Sequence, residues 1–240
     1  MKLLAVDTAL DACSVALLTR DGERIDVVAV EEIIGRGHAE RLMQTVAAVM
    51  AKAGVALAEV DAFAVTVGPG SFTGIRVGVA AVRGFALATG RPAVGVATLD
   101  VLADAARALA PGRAIAAVID ARKDEVYCGL FAADGTALDR PAVVPIAEAA
   151  ARARACDAIL VGSGAPLLRA VEPALVASEA APLPAIAAVA RLGLARLDAC
   201  GAAGCAAPSP LYVRPPDAKP QDGARLARLD PGVLLAEGAP

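Results

Sequence analysis

The sequence predicts an α/β protein made of two related lobes, each a mixed sheet covered by helices. Two observations carry this expectation. The first is an internal repeat: "VDTALDACSVALLTRDG" near the start and "IDARKDEVYCGLFAADG" in the middle set Asp7 against Asp120, Asp11 against Asp124 and Asp21 against Asp134, all three pairs at one spacing. Acidic positions that coincide within a shared apolar rhythm mark a duplication. The second is the order of patterns. Each copy opens on apolar runs joined by turn signals and passes into alternating helix and strand patterns, which gives a mixed sheet with helices packed on it.

Taken in order, each copy reads as an apolar strand ending in Asp, a short turn, a second apolar strand and an Asp-Gly turn. In the first copy "RIDVVAVEE" adds a third strand, and residues 37–53 form an amphipathic helix with Leu42, Val46, Val49 and Met50 on one face. "DAFAVTVG" is a buried strand. Residues 74–88 form a helix closed by Gly90 and Pro92, "AVGVAT" is a strand, and residues 99–109 are a helix. Pro111 and Gly112 place the lobe boundary within residues 110–113, so the lobes span 1–110 and 111–220. In the second lobe "RAIAAVIDA" and "EVYCGLFA" pair as a hairpin, residues 146–156 form a helix, "AILVGSG" a strand and residues 184–199 a helix. "PSPLYVRPPDAKPQ" is too rich in proline for regular structure, and residues 221–240 are expected to be a flexible tail.

The chain of 240 residues is long enough to bury a sizeable core, so size does not exclude an enzyme. Hydrophobic residues make up 57% of it and the mean hydropathy is +0.60. Alanine-rich coding accounts for such values, and so does apolar surface left for a partner. A net charge of −3 with aromatic residues at 2% and no tryptophan disfavours direct RNA binding, which needs a basic footprint and stacking platforms. Asp7 interrupts the N-terminal apolar run early, which argues against a secretory signal and for a cytoplasmic protein. Arg76 and Arg83 argue against a membrane span over residues 75–88. The five cysteines lack metal-type spacing and read as free thiols in a reducing compartment.

The stretch "VGPGSFTGIRVG" is not a P-loop, because Ile75 rather than lysine follows Gly74, and Thr73 breaks the dinucleotide fingerprint. Backbone N–H groups at the helix start could still hold an anion or nucleotide, with Asp7, Thr8, Gly68, Gly70 and Ser71 as candidate contacts. The alternative is a tight turn that lets strand and helix pack closely. In the helix that follows, Arg76 and Arg83 are the only charges and share one stripe, while every other side is apolar or small. Such a helix is buried on more than one side. Gly74, Gly78 and Ala81 leave a flat ridge that suits a partner helix, or else the helix is sandwiched within its own lobe. On the first reading a charge at Gly78 or Val79 abolishes pairing and spares the fold.

His38 is the only histidine, so no two-histidine metal site can form. Its place at a helix start favours a structural or exposed role. Asp7 and Asp120 each close a strand at a hairpin mouth. There they could hold a metal-phosphate or orient a nucleophile, or simply bond the N–H groups of their own turns.

At "VDTALDACSVAL", "GHAERLMQTV", "TVGPGSFTGIRVGVAAVRGFALATGRPAVGVATLDVLA", "IDARKDEVY" and "PLYVRPPD" the chain resembles the TsaB family, formerly called YeaZ. The resemblance implies the duplicated actin-like, Hsp70-like (ASKHA) fold. It also implies a noncatalytic subunit for threonylcarbamoyladenosine at position 37 of tRNAs that read ANN codons. The catalytic relative TsaD carries an Asn-His-Leu-Glu-Gly-His type segment whose histidines hold a metal; here Thr98 and Leu102 stand in those places. Pairing with TsaD through helices 37–53 and 74–88 is implied, with His38, Leu42, Met43, Val46, Met50, Ile75, Arg76, Gly78, Val79, Val82 and Arg83 as partner-binding residues. TsaE would dock on the pair and TsaC would supply threonylcarbamoyl-adenylate. No tightly bound cofactor is expected, ATP or ADP at the complex interface is open, and the chain alone could form a homodimer. The competing expectation is a free-standing enzyme of the same fold. A small-molecule kinase would use Asp7, the "DTA" turn, Gly162 and Gly164 for ATP, whereas the missing histidines count against a metalloprotease.

Overall fold

The computed structural model describes residues 1–201 and 204–214. Two sheets organise it. The first has strand order β3-β2-β1-β4-β5, from β1 (Lys2–Asp7), β2 (Ala12–Asp21), β3 (Arg24–Ile33), β4 (Ala62–Gly68) and β5 (Ala93–Ala97). The second is β8-β7-β6-β9, from β6 (Ile115–Arg122), β7 (Glu125–Phe131), β8 (Ala142–Pro145) and β9 (Ile159–Val161). In each sheet the opening strand pairs antiparallel with its hairpin mate and parallel with a later strand, β1 with β4 and β6 with β9. The sequence repeat is therefore a repeat of topology. The second hairpin is one residue tighter: Ala5 faces Ala16 but Val118 faces Cys128, and the register shifts between Asp120 and Arg122.

Both faces of the first sheet are covered, which is why β1 and β4 read as unbroken apolar runs. Leu4, Val6, Phe63 and Val65 face α1 (His38–Ala53) and α2 (Phe72–Thr89). Leu3, Ala5, Ala62 and Ala64 face the last helix, α6 (Ile186–Cys200). The helix after β5, α3 (Thr98–Leu109), lends Val101 to that same core but packs Leu99, Leu102, Ala103 and Ala106 on Ile115, Ala117 and Ile119 of the second sheet. Each sheet is thus covered in part by a helix from the other half of the chain. Arg196 of α6 pairs with Asp100 of α3 at 2.6 Å, joining the two crossing helices. The far face of the second sheet carries α4 (Ile146–Ala155) and α5 (Ala165–Val171).

Several elements differ from the expected outline. The four residues of β8 and the seven of α5 are too short to show a period. The start of α2 moves back to Phe72 because the Ser71 hydroxyl caps it, accepting from Gly74 N at 3.2 Å. The free-thiol reading is corrected at two positions: Cys200 and Cys205 form a disulfide, their Cα atoms 5.5 Å apart as such a bond requires. Cys13 and Cys128 are buried thiols and Cys156 is exposed. By length and composition α2 could cross a membrane. Here Ile75, Val79, Val82 and Phe85 on one side of it are core. The expected tail at 221–240 lies outside the described residues.

Candidate functional site

The glycine block is closed around the turn between β1 and β2. Ser71 N donates to Ala9 O at 2.7 Å, and the Thr8 hydroxyl donates to Gly74 O at 2.7 Å. A Cβ at Gly70 would lie 2.2 Å from Ala9 O, one at Gly74 2.0 Å from Thr8 O, and one at Gly78 2.5 Å from Thr8 Oγ1. At Gly70 and Gly74 a neighbouring backbone presses on the helix start, and at Gly78 the side chains of Thr8 and Val65 do. The amides of Ser71 and Gly74 are already engaged, so the loop does not present them to an anion. Gly74→Ala is expected to cost about 2 kcal/mol, since overpacking against rigid backbone has no side chain to displace. A fall in Tm of about 6 °C would register it, for a domain of this size.

Asp7 is fully buried beneath this turn. Its Oδ1 accepts from Ala9 N at 3.0 Å and from the Thr66 hydroxyl at 2.5 Å, while Oδ2 has no partner among the described residues. The buried hydroxyls of Ser14, opposite Asp7 on β2, and of Thr98 are also unpartnered. Burial raises the Asp7 carboxyl to about 6, against the hydrogen bonds from Thr66 and Ala9, which lower it. In the second copy Asp120 Oδ1 accepts from Arg122 N at 2.8 Å, the same bond two residues on, and Ser163 Oγ accepts from Asp120 N. Both aspartates therefore fasten their own turns. Asp7 and Thr8 have no exposed surface, so neither offers an atom to a ligand in this conformation. The proposed kinase glycines are filled in the same manner: a Cβ at Gly162 would lie 2.2 Å from Val118 O, to which Gly164 N also donates.

The helices α1 and α2 spend most of the expected partner-binding residues inward. Leu42, Val46, Met50, Ile75, Val79 and Val82 sit in the core of the first sheet, and Gly78 packs on Thr8 and Val65. His38 is buried as well, its Nε2 2.9 Å from Leu10 O, so the lone histidine helps hold the β1–β2 turn. The ridge of Gly74 and Gly78 is correspondingly a seat for that turn, because the Thr8 carbonyl leaves no room for a side chain at Gly74 and the Thr8 and Val65 side chains leave none at Gly78. Of the predicted set, Met43, Arg76 and Arg83 face outward. Beside them the outer sides of the two helices show Ala47, Ala48, Ala80, Gly84 and Leu87, the last 87% exposed. At the start of α2, half-exposed Phe72 lies under the Arg76 guanidinium, 3.6 Å from ring centre to Cζ. Arg76 Nε donates to the Tyr212 hydroxyl at 2.8 Å. Phe72, Leu87 and Tyr212 were not singled out from the sequence, although Leu87 continues the Ala80–Gly84 stripe at helical spacing.

The model of the family "TsaD: tRNA N6-adenosine threonylcarbamoyltransferase" matches residues 29–171, which take in α1, α2 and α3. The solved structure "YeaZ from Pseudomonas aeruginosa" superposes with a TM-score of 0.73 at 37% identity, over 88% of this chain and 99% of that one. The chain belongs to the TsaB/YeaZ branch of the TsaD family. Curated TsaB relatives match over a shorter stretch. The Escherichia coli (strain K12) protein is 40% identical over 134 residues, 56% of each chain. The Haemophilus influenzae protein is 41% identical over 127 residues, 53% of this chain and 52% of its own. The chain spans about half the length of the curated TsaB relatives it matches. For a TsaB/YeaZ chain the actin-like two-sheet fold is the expected one, and the duplicated topology described above agrees with it.

Proposed function

We propose that this chain is a docking subunit in the making of threonylcarbamoyladenosine at position 37 of tRNAs that read ANN codons. It pairs with TsaD through the outward sides of α1 and α2 and leaves the transfer itself to that relative. The observation that carries the reading is the character of that surface. A helix covering a sheet normally turns a polar side to water, yet α2 turns out Ala80, Gly84 and Leu87, and α1 turns out Met43, Ala47 and Ala48 alongside the polar Glu40, Arg41, Gln44 and Lys52. Small residues let a partner helix approach closely, and Met43 and Leu87 supply the apolar area. Arg76 and Arg83, exposed and without an acidic partner among the described residues, supply orientation at the edges. Thr98 and Leu102, which by resemblance replace the metal histidines of TsaD, are sealed in the core, in keeping with a subunit that does not transfer. Recruitment of TsaE, supply of the adenylate by TsaC, and nucleotide at the interface of the pair belong to the same reading, as does a cytoplasmic location.

Ala80→Glu and Met43→Glu test it. Both positions are exposed, so each variant is expected to unfold within a few degrees of the unmodified chain. Co-purification with co-expressed TsaD is expected to be lost. A pair that survives both charges overturns the interface.

One observation favours a second reading, a free-standing enzyme. A sealed carboxyl raised to about 6 is the kind of perturbed group that catalytic sites collect. Micromolar binding of Mg-ATP by the isolated chain would support it, and turnover without TsaD would establish it.

A further inference from the structure

Residues 208–214 cross from the first sheet to the second. At one end Leu211 N donates to Val67 O at 2.7 Å, at the tip of β4. Gly68, with φ of 109°, makes room for this approach, since a Cβ there would lie 3.0 Å from Leu211 O. Tyr212 adds its ring to that of Phe72, centroids 5.6 Å apart, and its hydroxyl to Arg76. At the other end Arg214 grips the mouth of the β6–β7 hairpin. One of its nitrogens donates to Ala121 O at 2.9 Å, another pairs with the Glu125 carboxylate, and the guanidinium lies 5.9 Å from the Tyr127 ring. The planar fork of arginine is what allows one side chain to hold two acceptors in fixed directions.

We infer that residues 208–214 are a clasp that holds the two lobes at one angle. Tyr212 is anchored on the first lobe and Arg214 on the second, and two peptide units span at most about 7 Å. The backbone between the two anchored residues is therefore short. An opening of the lobes larger than this short link and its two side chains can follow must break one anchor, whatever happens at the helical crossings through α3 and α6. The proline-rich run that looked irregular in sequence has a mechanical role: proline at 208 and 210 stiffens the approach to the anchors. The clasp is built from this chain's own residues, and its Arg76 also lies at the edge of the proposed docking surface.

A pair of nitroxide labels tests it on the full chain. Ala47→Cys on α1 and Ala170→Cys on α5 place one label on each lobe at exposed positions, with the exposed Cys156 changed to serine. The distance distribution is expected to be narrow in this background. Arg214→Ala is expected to broaden it and lengthen its mean, and Tyr212→Ala to do the same from the other anchor. Combining the two should add little, because links in series fail at either one. Cooperative unfolding and protected β1 and β4 amides in each variant show that the lobes themselves are intact. Distributions in both single variants that superimpose on the background overturn the clasp, as would two effects that add in full.

Discussion

Val79→Glu is expected to leave no cooperatively folded protein. Val79 is 3% exposed and packs in the core of the first sheet, in the same cluster as Val6, Phe63, Val65 and Val82. A carboxylate there has no cation to pair with, and even its neutral form lacks a hydrogen-bond partner. Such burial costs several kcal/mol, against a total stability of about 5–15 kcal/mol. The expected result is insoluble protein, or a soluble fraction with no thermal transition. The adjacent Ala80→Glu, on the exposed side, is the control that should fold normally. A Val79→Glu chain that melts cooperatively within about 5 °C of the unmodified one would show that the core side of α2 is misassigned. The periodicity of the helix suggested the opposite outcome, a charge at 78 or 79 that spares the fold. The packing of Gly78 on Thr8 and of Val79 in the core reverses it.

The second large effect is a gain in stability. Asp7 titrates near 3.8 in an unfolded chain and near 6 in the folded one, because burial disfavours its charge. The folded state therefore binds the proton more tightly, and stability falls as the pH rises from about 4 through 6. The difference between the two values corresponds to about 3 kcal/mol, lost in full above about pH 7. Asp7→Asn keeps an acceptor for Ala9 N and the Thr66 hydroxyl but carries no charge. It is expected to be more stable than the unmodified chain by about 3 kcal/mol at pH 8 and by almost nothing at pH 4. Denaturant midpoints across that range, with an unchanged slope, would measure this. A stability difference that is flat with pH would mean that Asp7 is not the titrating group. His38 and Glu31 are the charged groups that bear on it, one favouring the carboxylate and the other opposing it.

How much of this was legible depends on whether the cause was local. The repeat of Asp7 and Asp120 became one topology in two sheets, and even the Asx bonds to Ala9 and Arg122 are shared. The spacing of Leu42, Val46, Val49 and Met50 named the buried face of α1 correctly. In α2 periodicity failed, because a helix apolar on all sides does not say which side meets the sheet. What decides is a turn sixty residues earlier, whose carbonyls at Thr8 and Ala9 demand glycine at 70 and 74. Nor does any local pattern show that α3 covers the second sheet and α6 the first. Of the residues that the sequence assigned to a docking surface on these two helices, most point into the core instead.

That exchange of helices bears on how the protein comes into being. During synthesis the first five strands emerge long before α6, and until residue 200 has left the ribosome Leu3, Ala5, Leu18 and Ala64 lack the cover of that helix on one face. A fragment ending near residue 110 would carry that bare face, with the apolar side of α3 stranded beside it. The two copies descend from one unit, but neither can now be born as a finished protein without the other.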